Sequence, residues 1–226
     1  MDSSELYDRF RSDVVDEAKP YLWTDTEVFG YMNDAYRRFV RLIGGISDFT
    51  SEAAAVDMIA GDPLGRLHPS ILRITQMQRR SDQGDIKIIN FTDIHKLTKA
   101  DYGMVSPLKL DSTQGIVRYG VIGMQQDIIR WINIPEVDDV GDMMIYRLPF
   151  DTITKEDQEF TDVKEDHHIH LLDGMKALAY NKQDADTFDK TKANDAEAAF
   201  EAYCKWVRAE LERYKHKNRE VAYGGI

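Results

Sequence analysis

The densest chemical potential lies in Glu165-Asp166-His167-His168-Ile169-His170, because imidazoles and carboxylates are the usual ligands of zinc and iron. On a helix, paired metal ligands fall at i and i+3 or i+4. Only His167 with His170, or Asp166 with His170, meets that spacing, while His167 and His168 diverge by about 100 degrees. No HExxH or related motif completes the set, and local caps, core contacts and surface polarity explain these residues more simply. A metal-dependent hydrolase built on Asp166, His167 and His170 is therefore the enzyme-class alternative, and the expectation is no metal, no cofactor and no catalytic residue. Acidic neighbours such as Asp138-Asp139 arise by composition in so acidic a chain, and G-x-S-x-G, Walker A and G-x-G-x-x-G sequences are missing. Cys204, the one cysteine, has no histidine within a turn and reads as a structural thiol.

Two features point to binding in place of catalysis. The chain carries 29 Lys plus Arg against 40 Asp plus Glu, a net charge of -11, yet its end reverses the balance. Lys205, Arg208, Arg213, Lys215, Lys217 and Arg219 there outnumber Glu210, Glu212 and Glu220, which suits an acidic partner, although cations also relieve the C-terminal end of a helix dipole. The last residues then offer Val221, Tyr223 and Ile226 as apolar anchors beside two flexible glycines, too few to fold alone.

The elements that must position these groups follow from periodicity. A first helix spans Ser3 to about Glu17, with Leu6, Tyr7, Phe10 and Val14 on one face and Ser3 or Ser4 as N-cap. Thr24 and Glu27 form a capping box, and Trp23 with Val28 a hydrophobic staple. They open a helix whose apolar face runs from Val28 to Ile43, with Asp34, Arg37 and Arg38 on the wet side and Gly44-Gly45 as the stop. After a loop-rich stretch containing Gly61, Pro63, Gly65 and Pro69, the period shifts towards two. Candidate strands are Ile71–Gln78, Ile86–Asn90, Gly115–Ile122, Asp127–Ile134 and Met143–Leu148, with turns at 81–84 and 123–125 and a short helix within Thr92–Tyr102. Sequential pairing implies antiparallel strands. From Asp162 the pattern is helical again, with His168, Leu171, Leu172, Met175, Leu178 and Ala179 on one face and Gly174 and Ala177 small enough to admit a close neighbour. A last helix, Lys190 to Lys217, places Ala196, Phe200, Tyr203, Val207, Leu211 and Tyr214 at steps of three and four, amphipathic throughout.

The expected fold is α+β: a helical bundle formed by the N- and C-terminal helices, 1–45 and 150–217, with an inserted antiparallel β module over 46–149 and a flexible tail over 218–226. The 226 residues suffice for a true core. At 42% hydrophobic and 31% charged the chain is too apolar for bulk disorder. Its acidity disfavours general nucleic-acid or anionic-lipid binding. A lone cysteine and an N-terminus without a basic start or apolar run suggest a reducing cytoplasm, and no apolar run approaches the roughly 20 residues of a membrane helix.

At Leu22-Trp23-Thr24-Asp25-Thr26-Glu27 and Tyr31-Met32-Asn33-Asp34-Ala35-Tyr36-Arg37-Arg38 the chain resembles the head-to-tail adaptor proteins of tailed bacteriophages. The likeness continues at Ile71-Leu72-Arg73-Ile74, Tyr146-Arg147-Leu148-Pro149, His167-His168 and 177–180. It implies a structural virion protein of the neck, made in the host cytoplasm and forming a ring, twelve copies in that family, between the portal protein and a downstream tail or nozzle protein. The C-terminal segment would reach the portal, which assigns portal binding to Arg213, Lys215, Lys217, Arg219, Val221, Tyr223 and Ile226. DNA would pass the acidic lumen without specific binding, and no membrane is involved. A tail-tube or tail-completion subunit is the other structural alternative, less suited to a chain that begins and ends in long helices.

Overall fold

A computed structural model describes residues 1–96, 113–154, 158–183 and 186–216. The protein is mixed α+β, with four α-helices and several sheets among the described residues. It divides into two compact units, one of residues 1–45 with 149–226 and one of residues 46–148.

In the helical unit, α1 (Ser3–Asp13) is capped by Asp2, whose carboxylate accepts from the Glu5 N–H at 2.9 Å while Glu5 reaches back to the Asp2 N–H. The cap thus precedes the expected serines, because the carboxylate completes a reciprocal box that a serine at 3 or 4 lacks. The helix also stops before Glu17: Val15 turns into the left-handed region at φ 58°, and the Asp16 N–H bonds back to the Arg11 carbonyl. The connection that follows wraps around a buried cation. The Arg11 guanidinium pairs with the buried Asp16 carboxylate and donates to the Trp23 carbonyl at 2.7 Å and to Asp25 at 2.8 Å. Asp16 in turn accepts from the Leu22 N–H at 2.8 Å.

Helix α2 (Asp25–Ile43) opens with the predicted Thr24–Glu27 capping box and ends on Gly44 in the left-handed region. Its buried stripe is Val28, Met32, Ala35, Tyr36, Phe39 and Val40. Arg38, expected to be wet, is half-buried and pairs with Glu197, because another helix covers that flank. A 3-10 stretch, Glu165–His170, leads into α3 (Leu171–Tyr180), and the last helix is α4 (Lys190–His216). Gly174 is where these helices converge. A Cβ placed there would sit 3.0 Å from the Ala35 Cβ and 3.0 Å from the Phe200 ring. Trp23 locks the same assembly from its end, donating to the Ala179 carbonyl at 3.3 Å and meeting Tyr180 edge-on.

The β unit is organised on its longest strands. β10 (Asp139–Arg147) pairs antiparallel with β4 (Ile71–Arg79). Its other edge is shared by β1 (Ile46–Asp48), opposite 145–147, and β2 (Ala55–Met58), opposite 139–142. A second sheet orders β3 (Leu64–Arg66), β8 (Ile128–Ile132), β7 (Tyr119–Ile122) and β5 (Lys87–Asn90), and a third joins β6 (Gln114–Gly115) to β9 (Ile134–Pro135). The loop-rich stretch ahead of Ile71 is therefore not all loop: the strands between Ile46 and Arg66 are three or four residues long, too short to display a period. The expected antiparallel module needs correction as well. β5 pairs parallel to β7, and β6 parallel to β9, because each pair is separated by a connection long enough for the chain to return in the same sense. The turn at 81–84 closes only a Gln78–Asp85 bridge, whereas the turn after Ile122 joins β7 and β8 as an antiparallel hairpin. A 3-10 stretch covers Phe91–Lys96, and the rest of the helix expected to Tyr102 lies outside the described residues.

Trp131, Ile129, Met58, Met77, Met143 and Ile145 fill the core of this unit. Gly65 leaves the room Trp131 occupies, since a Cβ there would lie 2.7 Å from the indole ring. At one margin the buried Asp48 carboxylate pairs with the buried Arg147 guanidinium and accepts the N–H groups of Thr50 and Ser51 at 3.0 and 3.1 Å. Burial alone would raise its pKa, but Arg147 and these N–H donors outweigh it and hold the carboxyl well below the usual range.

Two outcomes follow from this packing. Gly174→Val drives two methyls into Ala35 and Phe200 and is expected to lower unfolding stability by about 1–3 kcal/mol in urea titration. The depressed Asp48 pKa means that its contribution is complete above about pH 5 and is lost as pH falls through about 4 and below. Asp48→Asn, which leaves Arg147 buried without its counter-charge, should cost roughly 3 kcal/mol at neutral pH and flatten the acid limb of the stability curve.

Candidate functional site

The chain end singled out by its charge is carried by α4, so its origin decides the site. Asp189 caps that helix, its carboxylate accepting the Thr191 and Lys192 N–H groups at 3.1 and 3.0 Å. The inward side is Ala193, Phe200, Cys204 and Val207, all buried. Burial pushes the Cys204 thiol up to about 11, so the group stays protonated and unreactive at neutral pH.

Beyond Val207 the helix outruns its core. Leu211 and Tyr214 continue the apolar stripe, yet they are 38% and 66% exposed. The amphipathic face expected along the whole of α4 is therefore covered only as far as Val207, roughly the first two-thirds of the helix. Trp206, which the spacing did not single out, is 56% exposed on the adjoining side. Arg213 is exposed on the last turn, and the backbone of Lys215 lies within the helix. Lys217, Arg219, Val221, Tyr223 and Ile226 lie outside the described residues.

The histidine segment is engaged otherwise than as a ligand set. His167 Nδ1 is 2.8 Å from the Tyr203 hydroxyl, and its ring packs against Phe39. His170 stacks on the Tyr203 ring with centroids 3.4 Å apart. His168 is buried with its two ring nitrogens 2.8 and 2.9 Å from the Met1 and Val163 carbonyls. Tyr203 stacks in turn on Trp206 at 5.8 Å. An aromatic series thus runs from Phe39 in the core through His167, Tyr203 and His170 to Trp206 at the surface. Among the described residues no three His, Cys, Asp or Glu side chains converge as a metal site would require. Burial lowers the pKa of His167, against an opposing pull from Asp166, and also that of His170, so both rings are neutral at pH 7.

Against this geometry, the chain matches the SU10 adaptor protein family over residues 1–219. The chain belongs to that family. The adaptor is accordingly a structural protein of a phage particle, in agreement with the head-to-tail adaptor resemblance, and its family implies contact with other virion proteins. Comparison with curated proteins returns no match. No helix among the described residues is long and apolar enough to cross a membrane.

The histidine chemistry gives a test of its structural role. Because folding depresses the His167 and His170 pKa values, the unfolded chain binds more protons below about pH 6.5, and stability should decline as pH falls through that value. His170→Phe preserves a ring over Tyr203 while removing one titrating group. Its urea midpoint should fall less than that of the wild type between about pH 7 and 5.

Proposed function

We propose that the adaptor forms a ring, twelve-fold as in the head-to-tail adaptors it resembles, linking the portal to the tail and enclosing part of the DNA conduit. The observation that carries this is the overrun of α4. A stripe patterned for burial continues past Val207 to Leu211 and Tyr214, which their own unit leaves exposed. Apolar side chains on a regular helical stripe are worth burying, and a second protein is one means of burying them.

In this reading the helices of both chain ends, 1–45 and 150–217, act as one bundle, and the β module over 46–149 is presented to a downstream tail or nozzle protein. Residues 218–226 are an arm that takes up its bound shape on the portal. Arg213, Lys215, Lys217 and Arg219 supply cations to an acidic portal surface, and Val221, Tyr223 and Ile226 supply apolar anchors. The net charge of -11 suits a channel wall, since carboxylates repel the phosphates of passing DNA and prevent adhesion.

Removing residues from Lys215 onward tests this. The truncated chain should melt at the wild-type temperature but fail to join purified portal rings in a sedimentation or pull-down assay. Joining at the wild-type level would overturn the assignment of the C-terminal segment.

A further inference from the structure

Two exposed features of the helical unit have no explanation in its own packing. The first is Gly30, in the interior of α2. Its position is exposed, and a Cβ added there would meet nothing within 4 Å. Glycine inside a helix costs about 1 kcal/mol relative to alanine, and among the described residues nothing needs the space. The second is the outward side of α4. Opposite the buried Phe200, Cys204 and Val207 lie Ala198, Ala202, Trp206, Ala209 and Arg213, all exposed, where a solvent-facing helix ordinarily carries Lys and Glu. Trp206 at the centre of this row is not a loose side chain. It is stacked on Tyr203, which is itself stacked on His170 and hydrogen-bonded to His167. A ring held in advance loses little freedom on binding, and partly exposed, buttressed tryptophans are the usual anchors of protein interfaces.

We propose that the outward face of α4 in one copy packs antiparallel on the outward face of α2 in the next copy, with Trp206 seated in the notch at Gly30. The proposal rests on the ring reading above and identifies which surfaces join neighbours. Gly30 on α2 and Ala202 and Ala209 on α4 let the helix axes approach at that point towards the near end of the usual 8–10 Å range. Charge selects the direction. With Trp206 over Gly30, a parallel arrangement would set Glu210 against Asp34 and Arg213 against Arg37. The antiparallel one sets Arg41 opposite Asp195 and places Lys205 within a turn of Asp34. Asp34, Arg41, Asp195 and Lys205 are all exposed. Asp25 and Glu27 already meet Arg11 and Lys182 in their own chain, which leaves Asp34 as the exposed carboxylate next to the notch.

The two faces differ, and α2 and α4 both turn their buried stripes inward, so their outward sides look in different directions. A contact joining one face to the other is heterologous: every copy keeps a free knob and a free notch, and the assembly grows head to tail until it closes.

Sedimentation velocity of the full chain over rising concentration is the test. The wild type should self-associate, and Trp206→Ala and Gly30→Leu should each weaken association at least tenfold. Gly30→Leu should also raise the melting temperature, because it adds helix propensity, so its loss of association is not a folding defect. An equimolar mixture of the two variants should give one-to-one pairs and nothing larger, since only one productive interface remains per pair. A wild type that stays monomeric throughout, variants that associate as the wild type does, or a mixture that rebuilds large assemblies would each overturn the proposal. Trp206→Ala retains residues 217–226, so its binding to portal rings reports on the C-terminal segment independently of the contact between copies.

Discussion

The helical unit depends on a missing side chain. At Gly174 the backbone of α3 is approached by Ala35 of α2 and by Phe200 of α4, each only 3.0 Å from where a Cβ would sit, so a side chain there would force its neighbours to shift. A ten-residue helix is too short to be stable in water by itself, so α3 exists because Leu171, Leu172, Met175, Ala177 and Ala179 are buried by partners that come from both ends of the chain. The chain leaves the helical unit after α2, folds the β unit and returns for α3. The long-range packing around Gly174 is what offsets the entropy of closing so long a loop.

Buried ion pairs fix the margins of each unit in the same manner. Arg11 gathers Asp16, the Trp23 carbonyl and Asp25, shaping the connection between α1 and α2. Arg147 and Asp48 tie the end of β10 to the end of β1. Such pairs carry a desolvation cost that their attraction roughly balances, so their chief effect is on geometry: a misplaced backbone leaves a buried charge without its partner.

The function of an adaptor requires no pocket that transforms a substrate, and the conspicuous chemistry of this chain is spent on packing. The three histidines between residues 167 and 170 serve as aromatic surfaces and hydrogen-bonding groups around Tyr203, Phe39 and two backbone carbonyls. Their service passes outward, because the Tyr203 ring they hold is the one that supports Trp206. Rigid aromatic support and an apolar stripe that outlasts its core are the features on which the proposed contacts with other proteins rest.

Local features were legible where a few adjacent residues decide the outcome. The Thr24–Glu27 box set the start of α2, Gly44 set its end, and α4 begins at the predicted Lys190. That Gly174 would admit a close neighbour could be read from its size, whereas which helices meet there could not. Short strands such as Ile46–Asp48 and Leu64–Arg66 could not, since three residues do not show a period, and the parallel pairing of Lys87–Asn90 with Tyr119–Ile122 depends on where a long connection returns. The candidate surface divides in the same way: the basic, aromatic character of α4 is a matter of composition and spacing. That burial stops at Val207, that Trp206 stands braced at the surface and that Arg38 is covered while Gly30 is bare were decided only by tertiary structure. A helical pattern states which side is apolar, but the length of that side which is covered is set by how far the neighbouring helices extend.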